Sequence, residues 1–444
     1  MRRLLPPLAT LAIAAAFAGG FLAGRQLPRA APAPAAAAAP ASPAAPAAAG
    51  APEVGLWAKA RQAPAAASPP AAAGGPAAEL RALPYLAGYE PAPAATGVRR
   101  HLPARAFPGL NLYVSGHGPE AVLMDMAGRV RHRWRQPLRR AFPQLTADPH
   151  HRKLDFFTAA RLFPNGDLLA IFDGLGLIKL DRDSRLLWAY QGGIHHDLDL
   201  TGDGEIYALE RIGGRVPEVS ARHAVLEDYV AILSPEGRLR RRVSILRALL
   251  DSPYAPLVRD APDEPDMMHT NTLVLLDGRH AARLPAFRAG NVLVSIPKMD
   301  AVVVLDLESG KAVWALKGLW RRQHEPSLLA NGNLLVFDNL GAGNASRVLE
   351  IDPLTQRIAW SYGGRLEDGF FTRNLGSCHR LPNGNTLIIE SKNGRAFEVT
   401  PDGETVWEWV SPERAGERGE LVAALFDVER LPADHPFRGS AGGP

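Results

Sequence analysis

Short apolar runs separated by glycine-containing turns fill the chain from about residue 110 onward. Asn-Gly and Asp-Gly tolerate a positive φ, so they close tight hairpins between antiparallel strands. Four such turns are each followed, after one or two residues, by an apolar run: Asn165-Gly166, Asp203-Gly204, Asn331-Gly332 and Asn383-Gly384. The pattern predicts many short strands and an all-β fold.

A tryptophan recurs downstream of an acidic turn in the same region. The tryptophans at positions 134, 188, 314, 360 and 407 are 54, 126, 46 and 47 residues apart. The long gap contains one more turn, Pro235-Glu236-Gly237, with Arg241 where a tryptophan is expected. Six units of four strands, at spacings of about 45 residues, predict a six-bladed β-propeller. The tail Leu425–Val428 is expected to complete the first blade, and a β-sandwich or a solenoid is the alternative.

The first hundred residues have a different pattern. Arg2 and Arg3 precede an uncharged run from Leu4 to Gly24, which is long enough to cross a bilayer as a helix. We expect residues 1–26 to form a signal anchor or signal peptide, with the charges on the cytoplasmic side. Residues 27–84 are mostly alanine and proline and predict a disordered linker. The propeller is expected to span residues 85–444.

This organisation predicts a location on the periplasmic side of the bacterial inner membrane. An uncleaved single-pass anchor is favoured, because Arg25 follows the apolar run without a clear small-x-small cleavage site before it. If the segment is cleaved, the protein is expected to be secreted to the periplasm.

Composition excludes several classes of protein. Hydrophobic residues make up 46% of the chain, enough for a core. The 50 Lys+Arg against 46 Asp+Glu are nearly balanced and form no basic motif, which argues against a nucleic-acid partner. The single cysteine, Cys378, excludes an intrachain disulfide and any multi-cysteine metal site.

Histidines recur at the predicted start of the innermost strands. His196 and His324 each lie eight residues before a turn glycine, and His269 lies one residue further from its own. Innermost strands line the channel of a propeller, so the three side chains are expected to converge there. Two chemistries stay open at this point. Imidazole binds zinc, copper or iron, and it is also a competent nucleophile near neutral pH.

Several motifs also give a family resemblance. The segment Gln323–Asn339 resembles the central motif of bacterial arylsulfotransferases. His195–Asp197 and His269–Asn271 resemble two further motifs of that family in the same order, and Leu381–Ile388 resembles its last blade. The resemblance covers approximately Leu110–Phe437.

The resemblance implies a six-bladed propeller that moves a sulfuryl group from an aryl sulfate to a phenol without the nucleotide donor PAPS and without a cofactor. It implies a ping-pong cycle in which His324 is the nucleophile and is transiently sulfated. His196 and His269 would be catalytic residues beside it, and one of them would act as general acid for the departing phenolate and then as general base for the acceptor. Asn271 would hydrogen-bond the sulfate, and His195 is a further candidate for substrate binding.

One position departs from the family pattern. The resemblance implies an arginine after the strand that follows the His-x-Asn motif, but that stretch reads Ser295–Met299. Lys298 is therefore the expected substitute, although an ammonium is a point charge and lacks the planar fork of a guanidinium.

Two further classes of function stay open beside the sulfotransferase. One is a noncatalytic, membrane-tethered propeller that binds a protein or an anionic ligand. The other is a metal- or quinone-dependent redox propeller. The sulfotransferase hypothesis predicts an aryl sulfate donor, a phenolic acceptor and the inner membrane as partners.

Overall fold

The computed structural model describes residues 86–341, 345–365 and 370–439. The predicted membrane segment and linker, residues 1–84, lie outside the described residues. No helix within the described ranges has the length and apolar character needed to span a membrane.

Short strands dominate the described chain. The first half contains β1 Gly88–Pro91, β2 Gly97–His101, β3 Gly109–Ser115, β4 Glu120–Asp125, β5 Val130–Arg135, β6 Ala159–Leu162, β7 Leu168–Phe172, β8 Gly176–Leu180, β9 Leu186–Gln191, β10 Ile194–Leu200, β11 Ile206–Gly214, β12 Val225–Leu233 and β13 Leu239–Ser244. The second half contains β14 Thr272–Leu275, β15 Val292–Ile296, β16 Ala301–Asp306, β17 Lys311–Lys317, β18 His324–Leu328, β19 Leu334–Asp338, β20 Arg347–Ile351, β21 Ile358–Gly363, β22 Ser377–Arg380, β23 Thr386–Glu390, β24 Arg395–Val399, β25 Thr405–Val410, β26 Arg414–Ala415, β27 Leu421–Ala423 and β28 Leu425–Pro432.

The helices of the described chain are short and lie in the connections. The α-helices are α1 Leu138–Ala141, α2 Pro149–Arg152, α3 Ile245–Leu250 and α4 Pro256–Arg259. Single 3₁₀ turns span Pro143–Ala147, Pro285–Phe287, Pro297–Met299 and Ser391–Asn393.

Six antiparallel sheets of four or five strands follow one another along the chain, which confirms the predicted all-β fold. Their strand orders are β28-β3-β4-β5, β6-β7-β8-β9, β10-β11-β12-β13, β14-β15-β16-β17, β18-β19-β20-β21 and β2-β25-β24-β23-β22. The sequence pattern does not predict the small sheet β1-β27-β26 or the fifth strand of the last large sheet, β2.

The Asn-Gly and Asp-Gly turns close hairpins as predicted. They join the antiparallel pairs β6–β7, β10–β11, β18–β19 and β22–β23. Gly166, Gly204, Gly332 and Gly384 have φ values of 92°, 85°, 83° and 87°. Glycine adopts this region without the steric penalty that a Cβ brings, which is why the turn residue recurs.

The edge strands of consecutive sheets contact each other in series. β6 contacts β10, and the contacts continue through β14, β18 and β22 to β28. β28 pairs with β3 of the first sheet, where Val428 lies opposite Tyr113, and β3 contacts β6. The predicted addition of the tail Leu425–Val428 to the first sheet is confirmed, and it returns the series of contacts to its start.

Apolar side chains pack between neighbouring sheets. Phe337 of the fifth sheet and Phe397 of the sixth lie with Phe370 in one cluster, with ring centroids of Phe370 at 5.6 and 5.7 Å from the other two. Full burial of one such side chain stabilises the fold by about 1.5–3 kcal/mol. Packing between the apolar side chains of neighbouring sheets thus holds the sheets together.

Four of the five recurring tryptophans donate a hydrogen bond to the next sheet, and Trp314 is the exception within the described residues. Trp188 Nε1 donates to a backbone carbonyl in the β12–β13 turn at 3.1 Å, and Trp407 Nε1 donates to one in the β4–β5 turn at 3.0 Å. Arg241, where the spacing predicts a tryptophan, donates to a carbonyl in the β16–β17 turn at 2.7 Å. The position keeps its contact even though the residue type has changed.

Replacing Trp188 by phenylalanine tests this contact. Trp188→Phe removes the indole donor and is expected to lower the free energy of unfolding by about 1 kcal/mol more than Trp314→Phe. Trp314 is a matched control because it is also half-buried, packs on Phe287, and makes no hydrogen bond through Nε1 within the described residues. Urea denaturation measures both variants, and equal losses would contradict the role of the hydrogen bond.

Candidate active site

Three residues at or just before the edge strands have a left-handed backbone. His196, His269 and Glu325 have φ values of 54°, 52° and 47°, a region uncommon for residues other than glycine. The pairing of β10 and β18 with their neighbours shifts register around His196 and Glu325. Such bulges turn side chains in a new direction and occur often beside active sites.

The edge strands surround a cavity. Its volume is about 60 Å³. The lining residues lie in strands of five of the six large sheets or in the segments just before a strand, as Asn271 does before β14 of the remaining sheet. They are Thr158, Ala159, Arg161, His196, Asp197, Asn271, His324, Glu325, Leu375, Gly376, Ser377, Phe426 and Asp427. Three of the residues predicted from the sequence, His196, Asn271 and His324, thus lie around one space.

The His324 ring is held through Nδ1. This atom lies 2.7 Å from Asn339 Oδ1 and 3.0 Å from the Arg322 carbonyl oxygen. Both partners are acceptors, so Nδ1 carries the ring proton. Nε2 accepts a hydrogen bond of 3.3 Å from the N–H of Leu375, a cavity residue. Burial lowers the pKa of His324 to about 4, so at neutral pH the ring is uncharged and keeps its lone pair on Nε2.

Three more imidazoles lie side by side. His195 Nδ1 is 2.7 Å from His196 Nδ1, and the rings of His196 and His269 meet edge to face with centroids 4.9 Å apart. Burial lowers the pKa of His196 well below its usual value, and the neighbouring His195 and His269 add to this shift. At neutral pH His196 is therefore an uncharged imidazole.

Two carboxylates orient the ends of this row. His195 Nε2 lies 3.4 Å from Asp228 Oδ1, and His269 Nδ1 lies 2.5 Å from Asp266 Oδ2. Arg211 donates through Nε to Asp228 at 2.9 Å and has a second nitrogen 3.5 Å from Asp266. Arg211 thereby fixes the carboxylates behind two of the predicted histidines.

The metal-site hypothesis was based on the histidines alone. Within the described residues, no group of three or more histidine, cysteine, aspartate or glutamate side chains has a geometry that could hold a metal ion. The imidazoles contact one another and the two carboxylates instead.

Of the two remaining predicted residues, Asn271 lines the cavity and Lys298 does not. Asn271 Nδ2 donates to the Gln323 carbonyl at 3.0 Å, which fixes the amide beside β18. Lys298 lies in the 3₁₀ turn Pro297–Met299 and forms an ion pair with Glu264. Lys298 is not among the described residues that line the cavity.

A group of charged residues adjoins the same cavity, and the sequence motifs assign no function to its members. We call it the ionic cluster: Arg161, Asp197, Glu325, His379 and Asp427. Arg161 donates to Asp197 at 3.0 Å and lies 3.9 Å from Asp427, and His379 Nε2 lies 3.0 Å from Asp427. Asp197 and Glu325 directly follow His196 and His324, a signal that sequence reasoning can use.

Burial and mutual charge shift the pKa values within the ionic cluster. Burial raises the pKa of Asp197 to about 6 and, with the charges of Asp197 and Asp427, that of Glu325 to about 8. Burial alone would lower the pKa of His379, but the charge of Asp427 outweighs it and raises this pKa to about 9. Burial likewise opposes ionisation of Asp427, but His379 lowers its pKa to about 2. Glu325 is thus mostly protonated at neutral pH, whereas His379 and Asp427 form an ion pair.

A family model for arylsulfotransferases (ASST) matches residues 160–412, more than half of the chain. The chain belongs to the arylsulfotransferase family. The resemblance stated from the motifs is thereby confirmed. At the level of the family, membership implies sulfotransferase activity with an aryl sulfate donor and a phenol acceptor.

Several solved structures are similar to this arylsulfotransferase at low identity. A Bacteroides caccae protein of unknown function is 13% identical, with 72% of this chain and 98% of that chain covered and a TM-score of 0.47. The β-propeller domain of Cps50 (Swd1) from Myceliophthora thermophila is 12% identical, with 72% and 91% covered and a TM-score of 0.38. The Dos1 propeller is 9% identical, with 58% and 59% covered and a TM-score of 0.36. None of the curated proteins matches the chain significantly.

The cation at the cavity of this arylsulfotransferase differs from the sequence-based expectation. Arg161 lines the cavity, whereas Lys298 is held by Glu264. A guanidinium offers a planar set of donors that suits a tetrahedral anion better than an ammonium does. Nothing in the motifs around Arg161 signals this, because its partners Asp197 and Asp427 come from distant strands.

The ion pair of His379 and Asp427 predicts a pH dependence of stability. The pKa of His379 rises from 6.5 to about 9 on folding, so its contribution is fully present below about pH 6.5 and is lost as the pH rises through about 9. The difference in free energy of unfolding between the parent and His379→Gln should shrink across this window. Urea denaturation on both sides of the window measures it, with His101→Gln on strand β2 as the control. A constant difference would contradict the shifted pKa.

Proposed function

We propose that this arylsulfotransferase moves a sulfuryl group from an aryl sulfate to a phenolic acceptor, without a nucleotide donor, through a sulfohistidine at His324. The observation that carries the proposal is the state of His324: a partly buried ring, uncharged at neutral pH, with Nδ1–H bound to Asn339 and a lone pair on Nε2. His324 lines a cavity of about 60 Å³, about twice the volume of one water in the liquid, so there is room for a small group beside the ring.

In the first half-reaction, His324 Nε2 attacks sulfur in line with the departing phenolate oxygen. The N–S bond forms as the bond from sulfur to the aryl oxygen breaks. Positive charge develops on the ring, and Asn339 Oδ1 stabilises it through Nδ1–H. The N–H of Leu375, which points at Nε2 from 3.3 Å in the free protein, becomes available to a sulfuryl oxygen.

Other cavity residues bind the sulfuryl oxygens in this proposal. His196 and the second amide hydrogen of Asn271 are donors, and Arg161 supplies positive charge. Thr158 Oγ1 is buried at the cavity and has no hydrogen-bond partner within the described residues, so it is available to a ligand. His269 and His195 hold His196 in place.

The second half-reaction is the reverse of the first with a different phenol. The first phenol leaves, the acceptor phenol enters, and its oxygen attacks the sulfur on His324. One site thus serves donor and acceptor in turn, which is the ping-pong order. Lys298 lies outside the cavity lining and would act on the anionic donor only as a longer-range charge.

We also propose that the six large sheets are the blades of a six-bladed propeller. The series of edge-strand contacts and the sheet-to-sheet hydrogen bonds of Trp188, Arg241 and Trp407 support it. In this arrangement the cavity lies in the central channel, where edge strands meet.

The N-terminal pattern supports a proposed location. Residues 1–26 would anchor the protein in the inner membrane, or direct its secretion, and residues 27–84 would tether the propeller on the periplasmic side. Cell fractionation of the full chain, and of a chain without residues 1–26, tests this proposal. Recovery of both in the cytoplasm would contradict it.

The decisive test of the chemistry is the variant His324→Ala. Incubation with a chromogenic aryl sulfate and a phenol should show no transfer above background, because the nucleophile is gone. Mass spectrometry of the parent, mixed with donor alone, should find one added sulfuryl group on His324. His196→Gln should slow transfer by about 10²–10³-fold, because a hydrogen-bond donor positioned for the sulfuryl oxygens is lost.

His101→Ala serves as the matched control, since His101 lies on β2, the outermost strand of its sheet. Turnover by His324→Ala as fast as by this control would rule out the nucleophile assignment.

A further inference from the structure

The proposed transfer needs a proton donor, and the cavity-lining imidazoles of His196 and His324 do not supply it. A phenolate leaves in the first half-reaction, and a phenol must lose its proton in the second. Burial keeps the pKa of His324 at about 4 and that of His196 well below its usual value. At neutral pH neither of these cavity-lining rings is an imidazolium.

The ionic cluster holds one carboxyl more than it holds cations. Asp197, Glu325 and Asp427 line the cavity, and the cations facing them are Arg161 and His379. Desolvated charges of one sign repel strongly. One of the three carboxyls is therefore expected to hold a proton.

Hydrogen bonds decide which carboxyl that is. Asp197 accepts from Arg161 and from the N–H groups of Leu198 and Leu273 at 2.8 and 2.9 Å. These donors favour its ionised form.

Asp427 is ionised for the same reason. It accepts from His379 and from Ser377 Oγ, each at 3.0 Å. Among the described residues, no donor binds the Glu325 carboxyl; only its backbone N–H is held, by Thr272 Oγ1 at 3.1 Å.

We propose that Glu325 is the general acid and base of the sulfuryl transfer, protonating the departing phenolate and deprotonating the acceptor phenol. The proposal rests on the proposed function at His324. Glu325 lines the same cavity, directly follows the nucleophile in sequence, and has a left-handed backbone at φ 47°. This geometry turns the two adjacent side chains of one strand toward one reacting group.

The Glu325 carboxyl is protonated at the start of the cycle and again at its end. As the bond from sulfur to the aryl oxygen breaks, its electron pair stays on that oxygen, which takes the proton of the Glu325 carboxyl and leaves as a phenol. Glu325 is then a carboxylate. The acceptor phenol gives its proton to this carboxylate while its oxygen attacks the sulfur on His324. Glu325 is again protonated and His324 is again a free, uncharged imidazole.

Charges from every neighbouring strand act on this carboxyl. They are Arg161 on β6, Asp197 on β10, His379 on β22 and Asp427 on β28. Glu429 acts on Arg161 and His379. The Cys378 thiol on β22 carries no charge at neutral pH, because burial raises its pKa well above the usual value. Burial and the two aspartates raise the pKa of Glu325 to about 8, against Arg161 and His379. Donor turnover, as kcat/KM, should then fall as the pH rises through about 8, because the acid form is lost.

The test compares Glu325→Gln with the parent over donors whose leaving phenols differ in acidity. A general acid matters most for a weakly acidic leaving phenol, so Glu325→Gln should lose about 10²-fold or more there. It should lose much less with a nitrophenyl sulfate, and its alkaline fall near pH 8 should disappear. Glu325→Asp should restore part of the activity. Glu308→Gln is the control, because that carboxyl is 90% exposed.

A second measurement does not depend on turnover. Difference infrared spectra between neutral and alkaline pH should show a protonated carboxyl in the parent that is absent in Glu325→Gln. An equal slowing of all donors by Glu325→Gln, or no such carboxyl in the parent, would overturn the proposal.

Failure of the role of Glu325 can be distinguished from failure of the proposed function. If His324→Ala loses transfer while Glu325→Gln keeps the parental dependence on donor and pH, only the role of Glu325 fails. If the parent transfers from no donor, both fail.

Discussion

The pairing of β28 with β3 is the contact on which the site depends. It joins residues near the end of the described chain to strands near its beginning. It also brings Asp427 to 3.0 Å from His379 and to 3.9 Å from Arg161. Without β28, these two cations would lose a buried counter-charge, which is costly in a desolvated environment. The strand that completes the first sheet therefore also supplies part of the cavity wall.

Burial then decides the protonation states around the cavity. The same loss of water that lowers the pKa of His324 to about 4 raises that of Glu325 to about 8. Desolvation disfavours charge of either sign, so an imidazole and a carboxyl can both be neutral at one pH. The outcome is an uncharged imidazole next to an uncharged carboxyl, a combination that the two residues would not show in water.

The repeated local signals explain how much of the fold can be predicted. Turn glycines and spaced tryptophans depend on contacts within a hairpin or between adjacent sheets, and they leave a mark at a fixed spacing. Arg241 illustrates the rule, because the spacing locates its place although the residue is not a tryptophan, and it donates to the next sheet at 2.7 Å. The strands β1, β2, β26 and β27 carry no such repeat and are not predicted.

The residues of the candidate site also fall into two groups, those with a repeated sequence signal and those without one. The sequence alone determined that His196, His269 and His324 lie at or beside one equivalent place in a repeat, because residues at one register of repeated strands face one space. It gave Asn271 only through the family resemblance. It did not determine Arg161, Asp427 or the ion pair of His379, because the paired residues lie 36, 48 and 266 residues apart along the chain. Nor did it determine charge, since the pKa of a histidine or glutamate depends on solvent exclusion and on neighbours from other strands. Only the tertiary structure sets those distances, because electrostatic energy depends on separation in space and on burial.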